Sequence, residues 1–385
     1  MKILVVGCGI GGLATALALR RAGADVEALD RGGVMNEVGA GLAIWPNGRR
    51  ALAALGIDNV AGSVIWGLQF RSWRGRLLAE IPVDAFRARY GHELMIAHRA
   101  ELHSTLLEAV GRDSVQWGLE VTSVEQDATS VWVCLASGER LQGELLIGAD
   151  GLRSAVRRSL LGDGEPRYSG ATCWRGIASF QMGEGPSQNW WERGGEFGLF
   201  PLPDGRAYWF AVLRRPEREE DGPEGRKADV LQAFGSWPEL VAAAVEATEE
   251  GAILRNDLYD RPPTARWGRG RVTLMGDAAH PMLPNAAQGA CQALEDAVAL
   301  GETIAAELSE QALRDYEARR LRRANSFVSQ SRRTASLVHA TNPIVAAFRN
   351  FWVAHLPRTL LWRQIDATMR FDQAAHDESA RVPGR

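Results

Sequence analysis

Residues 2–30, KILVVGCGIGGLATALALRRAGADVEALD, decide the fold. Ile3 to Val6 form a short aliphatic run of strand character, glycines follow at once, and Leu13, Ala16, Leu17 and Leu19 recur at helical spacing. Val26 to Leu29 form a second strand ending in Asp30, which completes a βαβ unit. Gly7, Gly9 and Gly12 therefore stand as GxGxxG between strand and helix. The first glycine permits the tight turn, the second lets backbone approach a pyrophosphate, and the third lets helix and strand pack closely. The dianion sits at the positive end of the helix, and Asp30 is placed to accept hydrogen bonds from an adenosine ribose. GxGxxG alone is a weak signal, but strand, helix and terminal acid together mark a dinucleotide site, without separating FAD from NAD.

Outward from this unit, 385 residues exceed one compact core and predict two or three domains. With 46% hydrophobic and 24% charged residues the composition is that of a globular protein. A net charge of -3 offers no electrostatic reason to bind nucleic acid. Cys8, Cys134, Cys173 and Cys291 are scattered without a CxxC, so no metal site and no redox dithiol is expected, and a reducing cytoplasm fits best. The apolar stretch 343–365 is broken by Arg349, Pro357, Arg358 and Arg363, so no membrane span is expected. Phe348, Phe351, Trp352 and Leu356 recur there at helical spacing, as in a helix packed on the body of the protein.

Further along, Pro46 suits the start of a helix over about 47–55 that Gly56 stops, and another helix should begin near His98. From Ser114 to Ile147 the period becomes two, indicating a small antiparallel sheet that leads into a strand at Leu145 to Ile147. Strand-like segments such as EFGLFPLP and AYWFAVLRR recur between 170 and 265. Helices return after Ala278, and RDYEARRLRRANSFVSQSRR reads as a long helix with a cationic solvent face.

Two later segments carry the chemistry: GADGLRSAVRR at 148–158, and RVTLMGDAAHPMLPNAAQGACQALEDAVAL at 271–300. In the first, a strand delivers an acid and a glycine into a turn, and Arg153 and Arg157 open a helix where an anion could be held; a solvated helix start explains the pattern equally well. Together they resemble the DG and GD motifs of the class A, para-hydroxybenzoate hydroxylase-like flavoprotein monooxygenases. The stretch 38–48, VGAGLAIWPNG, looks closest to the salicylate, urate and hydroxynicotinate hydroxylase branch. The resemblance implies an α/β chain: a discontinuous Rossmann-like FAD-binding domain (1–72, 98–170 and 268–330), an inserted antiparallel β-sheet substrate domain (73–97 and 171–267), and a helical C-terminal region (331–385). It implies FAD contacts from Asp150 of the DG motif and from Asp277 on the ribityl hydroxyls. Pro284 would stand as a stiff wall beside the ring, and Gln288 and Gly289 would open a helix toward the flavin. It further nominates Arg99 in HRAELH and Gly41 and Leu42 in GAGL. The sequence departs from many relatives at Ala286-Ala287, where they carry a glycine.

The implied cycle takes hydride from NADH or NADPH to FAD, combines the reduced flavin with O2 as a hydroperoxide, and hydroxylates a small aromatic or heteroaromatic substrate, in a monomer or homodimer. An epoxidase or reductase of the same fold shares these motifs, and a non-enzymatic protein on this fold is a distant alternative. A disulfide reductase lacks its paired cysteines here, and a halogenase its WxWxIP. For the substrate, Arg175 in CWRG either holds a carboxylate or carbonyl or makes a structural ion pair. Tyr208 in AYWF is the tyrosine best located for proton transfer, against the alternative of a strand tyrosine with a satisfied hydroxyl. His280 in GDAAH reads as a positioning residue. Trp174, Trp190, Trp191, Trp209 and Phe200 are candidates for an aromatic pocket, or for core.

Overall fold

The computed structural model describes residues 1–32, 41–183 and 185–370; residues 38–40 of the VGAGL stretch and 371–385 of the C-terminal region lie outside them. Ile3 to Val6, buried from both faces, occupy the centre of a parallel five-stranded sheet. Its order is Val272–Leu274, Leu145–Gly148, Lys2–Val6, Asp25–Asp30, Val115–Trp117. A strand covered on both faces needs a continuous apolar run, which is what ILVV and LLI supply. The Ile10–Arg21 helix lies against the Gly289–Ala306 helix. A Cβ on Gly301 would come within 2.9 Å of Ala18 Cβ, so small residues set how closely the two helices approach. Val115–Trp117, expected in an antiparallel sheet, is instead the parallel sheet's edge; only Val121–Gln126, Val131–Leu135 and Arg140–Gly143 form the antiparallel meander.

A seven-stranded sheet runs in the order Leu254–Asp260, Arg167–Ala178, Ala207–Arg214, Gly195–Pro201, Ser187–Glu192, Leu68–Ser72, Leu77–Ile81. It differs from the expected antiparallel sheet at one junction, where Ser187–Glu192 pairs parallel to Leu68–Ser72, because the latter strand arrives from a distant part of the chain. That pairing also draws Leu68–Ser72 into this sheet, although the expected boundary lay after residue 72. Met95, Ile96 and Ala97, expected on the substrate side, belong to the Met95–His98 strand, which pairs instead with Gly41–Ile44 and Gly62–Val64.

The long Glu310–Val338 helix forms as expected, but its arginines do not all face solvent. Arg320 is 2% exposed and Arg323 turns toward Glu295, because two acids buried on the neighbouring helix require cations. The Pro343–Ala354 helix also departs from expectation: Phe348, Phe351 and Trp352 face outward rather than packing on the body. No helix among the described residues is long and apolar enough to cross a membrane.

Candidate active site

The first βα turn has the shape its glycines predict. Gly7 has φ +98°, and a Cβ there would stand 2.5 Å from Ala149 O; a Cβ on Gly12 would stand 2.9 Å from Gly7 C and nearer still to Gly7 O. A Cβ on Gly9, by contrast, would meet nothing within 4 Å. The helix that begins at Ile10 has no side-chain cap and no acid in its first turn, so its N–H groups face open space with their partial positive charge uncompensated. This cradle fits a pyrophosphate. Asp30 accepts the Cys8 N–H at 2.6 Å and the Gly32 N–H at 2.7 Å, bracing the loop while each oxygen keeps a second lone pair. The buried His103 ring bonds Cys8 O at 2.7 Å from the Arg99–Val110 helix, which locks the turn from the far side.

The DG segment serves the loop's shape first. Asp150 accepts from Ser154 Oγ, from Ala155 N at 2.7 Å and from Val156 N at 3.1 Å, capping the Ala155–Leu161 helix, while burial raises its pKa. Arg157 and Arg153 do not form an anion site. Arg157 is buried and spent on Asp163 (2.5 Å) and on the carbonyls of Ala278 (2.9 Å) and Ala279 (2.8 Å), so it ties the DG helix to the GD loop. Arg153 is exposed and paired with Glu165.

Asp277 follows the Val272–Leu274 strand directly, and its carboxylate takes no hydrogen bond from the described residues. Water reaches it, yet the surrounding protein raises its pKa through desolvation, opposed by the charges of His280 and Arg99. An unsatisfied acceptor held near Arg99 fits the ribityl hydroxyls of FAD. The loop behind it is fixed by a buried network that sequence reading missed. Asp296 accepts from Gly276 N at 2.9 Å, pairs with His280 at 2.5 Å and receives Arg320 Nε at 2.8 Å. Glu295 binds Arg320, Arg323 and Asn47, and Asn47 in turn donates to Gln288 Oε1 at 2.9 Å. The cationic partners hold both carboxyl groups below their usual range against the opposing effect of burial. His280 is thus a positioning residue. The adjacent acids of LEDAVAL inside an apolar helix were the available signal, since such carboxylates demand partners.

Gln288 and Gly289 open the Gly289–Ala306 helix with no side-chain cap and no acid in the first turn, leaving its positive end free. Pro284 starts a short 3₁₀ turn, Pro284–Ala286, after which Ala287 adopts φ +47°. The glycine missing at 286–287 therefore leaves an alanine to carry a left-handed conformation.

Opposite this loop lies one face of the seven-stranded sheet. Strand alternation puts Cys173, Arg175, Ile177, Tyr208 and Phe210 on that face, and Trp174 and Trp209 on the other. Trp174, Trp190 and Trp209 are fully buried in a separate core shared with Val230, Phe234 and Val241, so they line no pocket. Trp191 packs with Leu78 and Val338. Of the nominated aromatics Phe200 faces the site, in a group with Tyr208 and Phe210, whose rings stand 6.3 Å and 6.1 Å from it. Tyr208 also touches the nucleotide-binding side directly: a Cβ on Gly41 would be 2.9 Å from Tyr208 Cβ and nearer to its ring. Gly41 pairs with His98, so Gly41, Leu42, Arg99 and Tyr208 share one neighbourhood. Arg175 donates to Asn256 Oδ1 at 3.5 Å on the neighbouring strand, and its charge acts on the Tyr208 hydroxyl and the Cys173 thiol. Burial raises the phenol's pKa and Arg175 opposes the rise, so Tyr208 is a protonated donor at neutral pH, not a ready base. A second cluster was also missed: buried Glu196 accepts from Asn189 (2.8 Å) and Asn285 (3.2 Å) and pairs with His339 (3.1 Å), joining the sheet, the Pro284 loop and the C-terminal helices.

A family model described as an FAD binding domain matches residues 1–331. Aurachin C monooxygenase/isomerase of Stigmatella aurantiaca is 38% identical over 379 residues, 96% of this chain and 97% of its own. An FAD-dependent urate hydroxylase of Klebsiella pneumoniae is 34% identical over 348 residues, 88% of this chain and 91% of its own. The crystal structure of Klebsiella pneumoniae HpxO complexed with FAD and uric acid matches with a TM-score of 0.89 at 31% identity, covering 96% of each chain.

Proposed function

The chain belongs to the FAD-binding domain family and is an FAD-dependent monooxygenase; from that premise we propose that it hydroxylates a small aromatic or heteroaromatic substrate held between the Phe200–Tyr208–Phe210 face and the Pro284 loop. The observation that carries this reading is the packing of Tyr208 on Gly41, which brings the sheet bearing Arg175 against the strand beside the nucleotide cradle. When bound, FAD supplies reduction by NADH or NADPH and activation of O2.

The protein supplies binding, orientation and charge. Gly7, Gly9, Gly12 and the N–H groups after them hold the pyrophosphate, Asp30 braces that turn and meets the ribose, and Asp277 accepts from the ribityl chain. Arg99, Gly41 and Leu42 border the ring on one side and Pro284 on the other. The free N-terminus of the Gly289–Ala306 helix, behind Gln288 and Gly289, stabilises negative charge at the ring's polar edge. Asp150 acts through the loop it caps. Arg175 offers its guanidinium to a substrate carbonyl or carboxylate, and Tyr208 donates its hydroxyl to the same oxygen. Both are oriented by neighbours already in place, so little ordering accompanies binding.

The test is flavin reduction by NADH and by NADPH, followed at the flavin's visible band with a panel of phenolic and N-heteroaromatic compounds. Bleaching accelerated by one class, with oxygen incorporated into the product, is the expected result. Reduced flavin that transfers electrons to a substrate without oxygen would replace this reading with a reductase, and an oxirane product would replace it with an epoxidase. For the named pair, Arg175→Ala should raise KM more than it lowers kcat, and unchanged kinetics would remove Arg175 from the site.

A further inference from the structure

The Pro343–Ala354 helix is inside out. Asn342 caps it through Ile344 N (2.9 Å) and Val345 N (3.4 Å), and Pro343 occupies its first turn, so its start is well defined. Its buried residues are Ala346 and an arginine. Arg349 donates to the carbonyls of Leu337 (3.3 Å) and Val338 and lies over the Trp191 ring at 5.5 Å. Its outward residues are apolar: Ile344 is 78% exposed, Phe348 65%, Phe351 59% and Trp352 57%. Positions 344, 348, 351 and 352 fall on one side of a helix. At about 150–250 Å² per aromatic side chain, these residues present roughly 400 Å² of apolar surface, the size of patch that marks a contact site.

Charge identifies what covers it. Residues 331–370 contain six arginines and one acid, in a chain whose net charge is -3. The acid, Asp366, is engaged by Arg89 (2.6 Å). Arg333, Arg358 and Arg363 are exposed and have no ion pair among the described residues. An apolar stripe with Trp and Phe, on a segment whose flanking helices carry unpaired arginines, is the pattern of a helix lying in the plane of an anionic lipid interface.

We propose that the outward side of the Pro343–Ala354 helix docks reversibly on the surface of an anionic lipid bilayer, with Phe348, Phe351 and Trp352 inserted at the headgroup level and the exposed arginines of the flanking helices, Arg333, Arg358 and Arg363, drawn to the lipid phosphates. The attachment is peripheral and needs no spanning segment.

The test is co-flotation of the full-length, FAD-loaded protein with vesicles of equimolar phosphatidylcholine and phosphatidylglycerol, with pure phosphatidylcholine as control. Binding should require the anionic lipid and fall as salt rises. Phe348→Ser with Trp352→Ser should weaken it at least roughly tenfold, and Arg358→Gln roughly fivefold. Flavin content should be unchanged in each, since these side chains are solvent-exposed and outside the site. Absence of co-flotation by the wild-type protein overturns the proposal, as does binding indifferent to these substitutions. A dimer in sedimentation velocity that the Phe348 and Trp352 substitutions dissociate would overturn it too, in favour of a second copy as the occupant.

Discussion

Gly41→Ala isolates the contact on which the architecture of the site depends. The φ of Gly41 lies outside the left-handed region, so the backbone accepts alanine and only space objects. The new methyl carbon would sit 2.9 Å from Tyr208 Cβ and closer to the ring, whereas carbon atoms settle at roughly 3.5–4.0 Å. Either the ring or the strand must therefore withdraw by about 1 Å. Overpacking of this kind costs about 1–3 kcal/mol. Because the charge of Arg175 acts on the Tyr208 hydroxyl, the same displacement should lower turnover by on the order of 10²-fold. Urea unfolding of wild type, Gly41→Ala, Tyr208→Ala and the double variant closes the cycle, and the coupling should recover about 1–3 kcal/mol, because the methyl has room once the ring is gone. Tyr208→Phe should recover none of it, since the clash is with ring carbons. If Gly41→Ala is equally destabilising with and without the Tyr208 ring, the two parts do not meet there, and the placement of the substrate on the Tyr208 face, between it and the Pro284 loop, fails with it.

Arg157→Met takes the buried donor from the carbonyls of Ala278 and Ala279 and one of two arginines from the partly exposed Asp163, which keeps Arg261 at 3.5 Å; the expected loss is about 1–3 kcal/mol in urea unfolding, together with weaker FAD retention on gel filtration. Asp277 has a raised folded-state pKa, so its ionised form opposes folding of the flavin-free protein at neutral pH, and this penalty disappears as pH falls below the ordinary value of 3.8. Flavin-free Asp277→Asn should accordingly be more stable than wild type at pH 7 and equal to it in acid, while binding FAD less tightly by flavin fluorescence titration. Arg320→Met removes the cation that Glu295 and Asp296 share, leaving Arg323 on the first and His280 on the second, and should destabilise by about 3 kcal/mol near neutrality. The lowered pKa values of those two groups contribute stability above their ordinary range that is lost as pH falls through the folded values, so the variant's deficit should shrink in an acid titration followed by circular dichroism.

Much of the nucleotide-binding half was legible in residues 2–30, because each requirement there is local. The strand run, the glycines and the helical stripe lie within one βαβ unit, and Gly7 and Gly12 sit where a Cβ would collide with backbone. The departure at Ala286-Ala287 was legible only against the resembled family, and the structure gives Ala287 a left-handed conformation. Placement of the tryptophans was not, because Trp209 and Tyr208 are neighbours in sequence with similar aromatic character, and only the sheet's position between two partners decides which one faces the site. The roles of the arginines were hidden in the same way. Arg157 read as an anion holder or part of a solvated helix start and Arg320 as part of a solvent face, yet each is buried on an acceptor remote in sequence, as is Arg349 on the carbonyls of another helix.

By itself the sequence determined the βαβ nucleotide unit and the motif-bearing segments, since these depend on glycine geometry and on patterns carried by contiguous residues, whereas the class of chemistry came through the family resemblance that those segments carry. Only the tertiary structure decided that Tyr208 meets Gly41, that Glu295 and Asp296 anchor the Gly276-Asp277 loop through Arg320, and that the Pro343–Ala354 helix turns its aromatic side outward. Those outcomes depend on which face of an element is covered, and coverage is set by partners that the chain brings together only on folding.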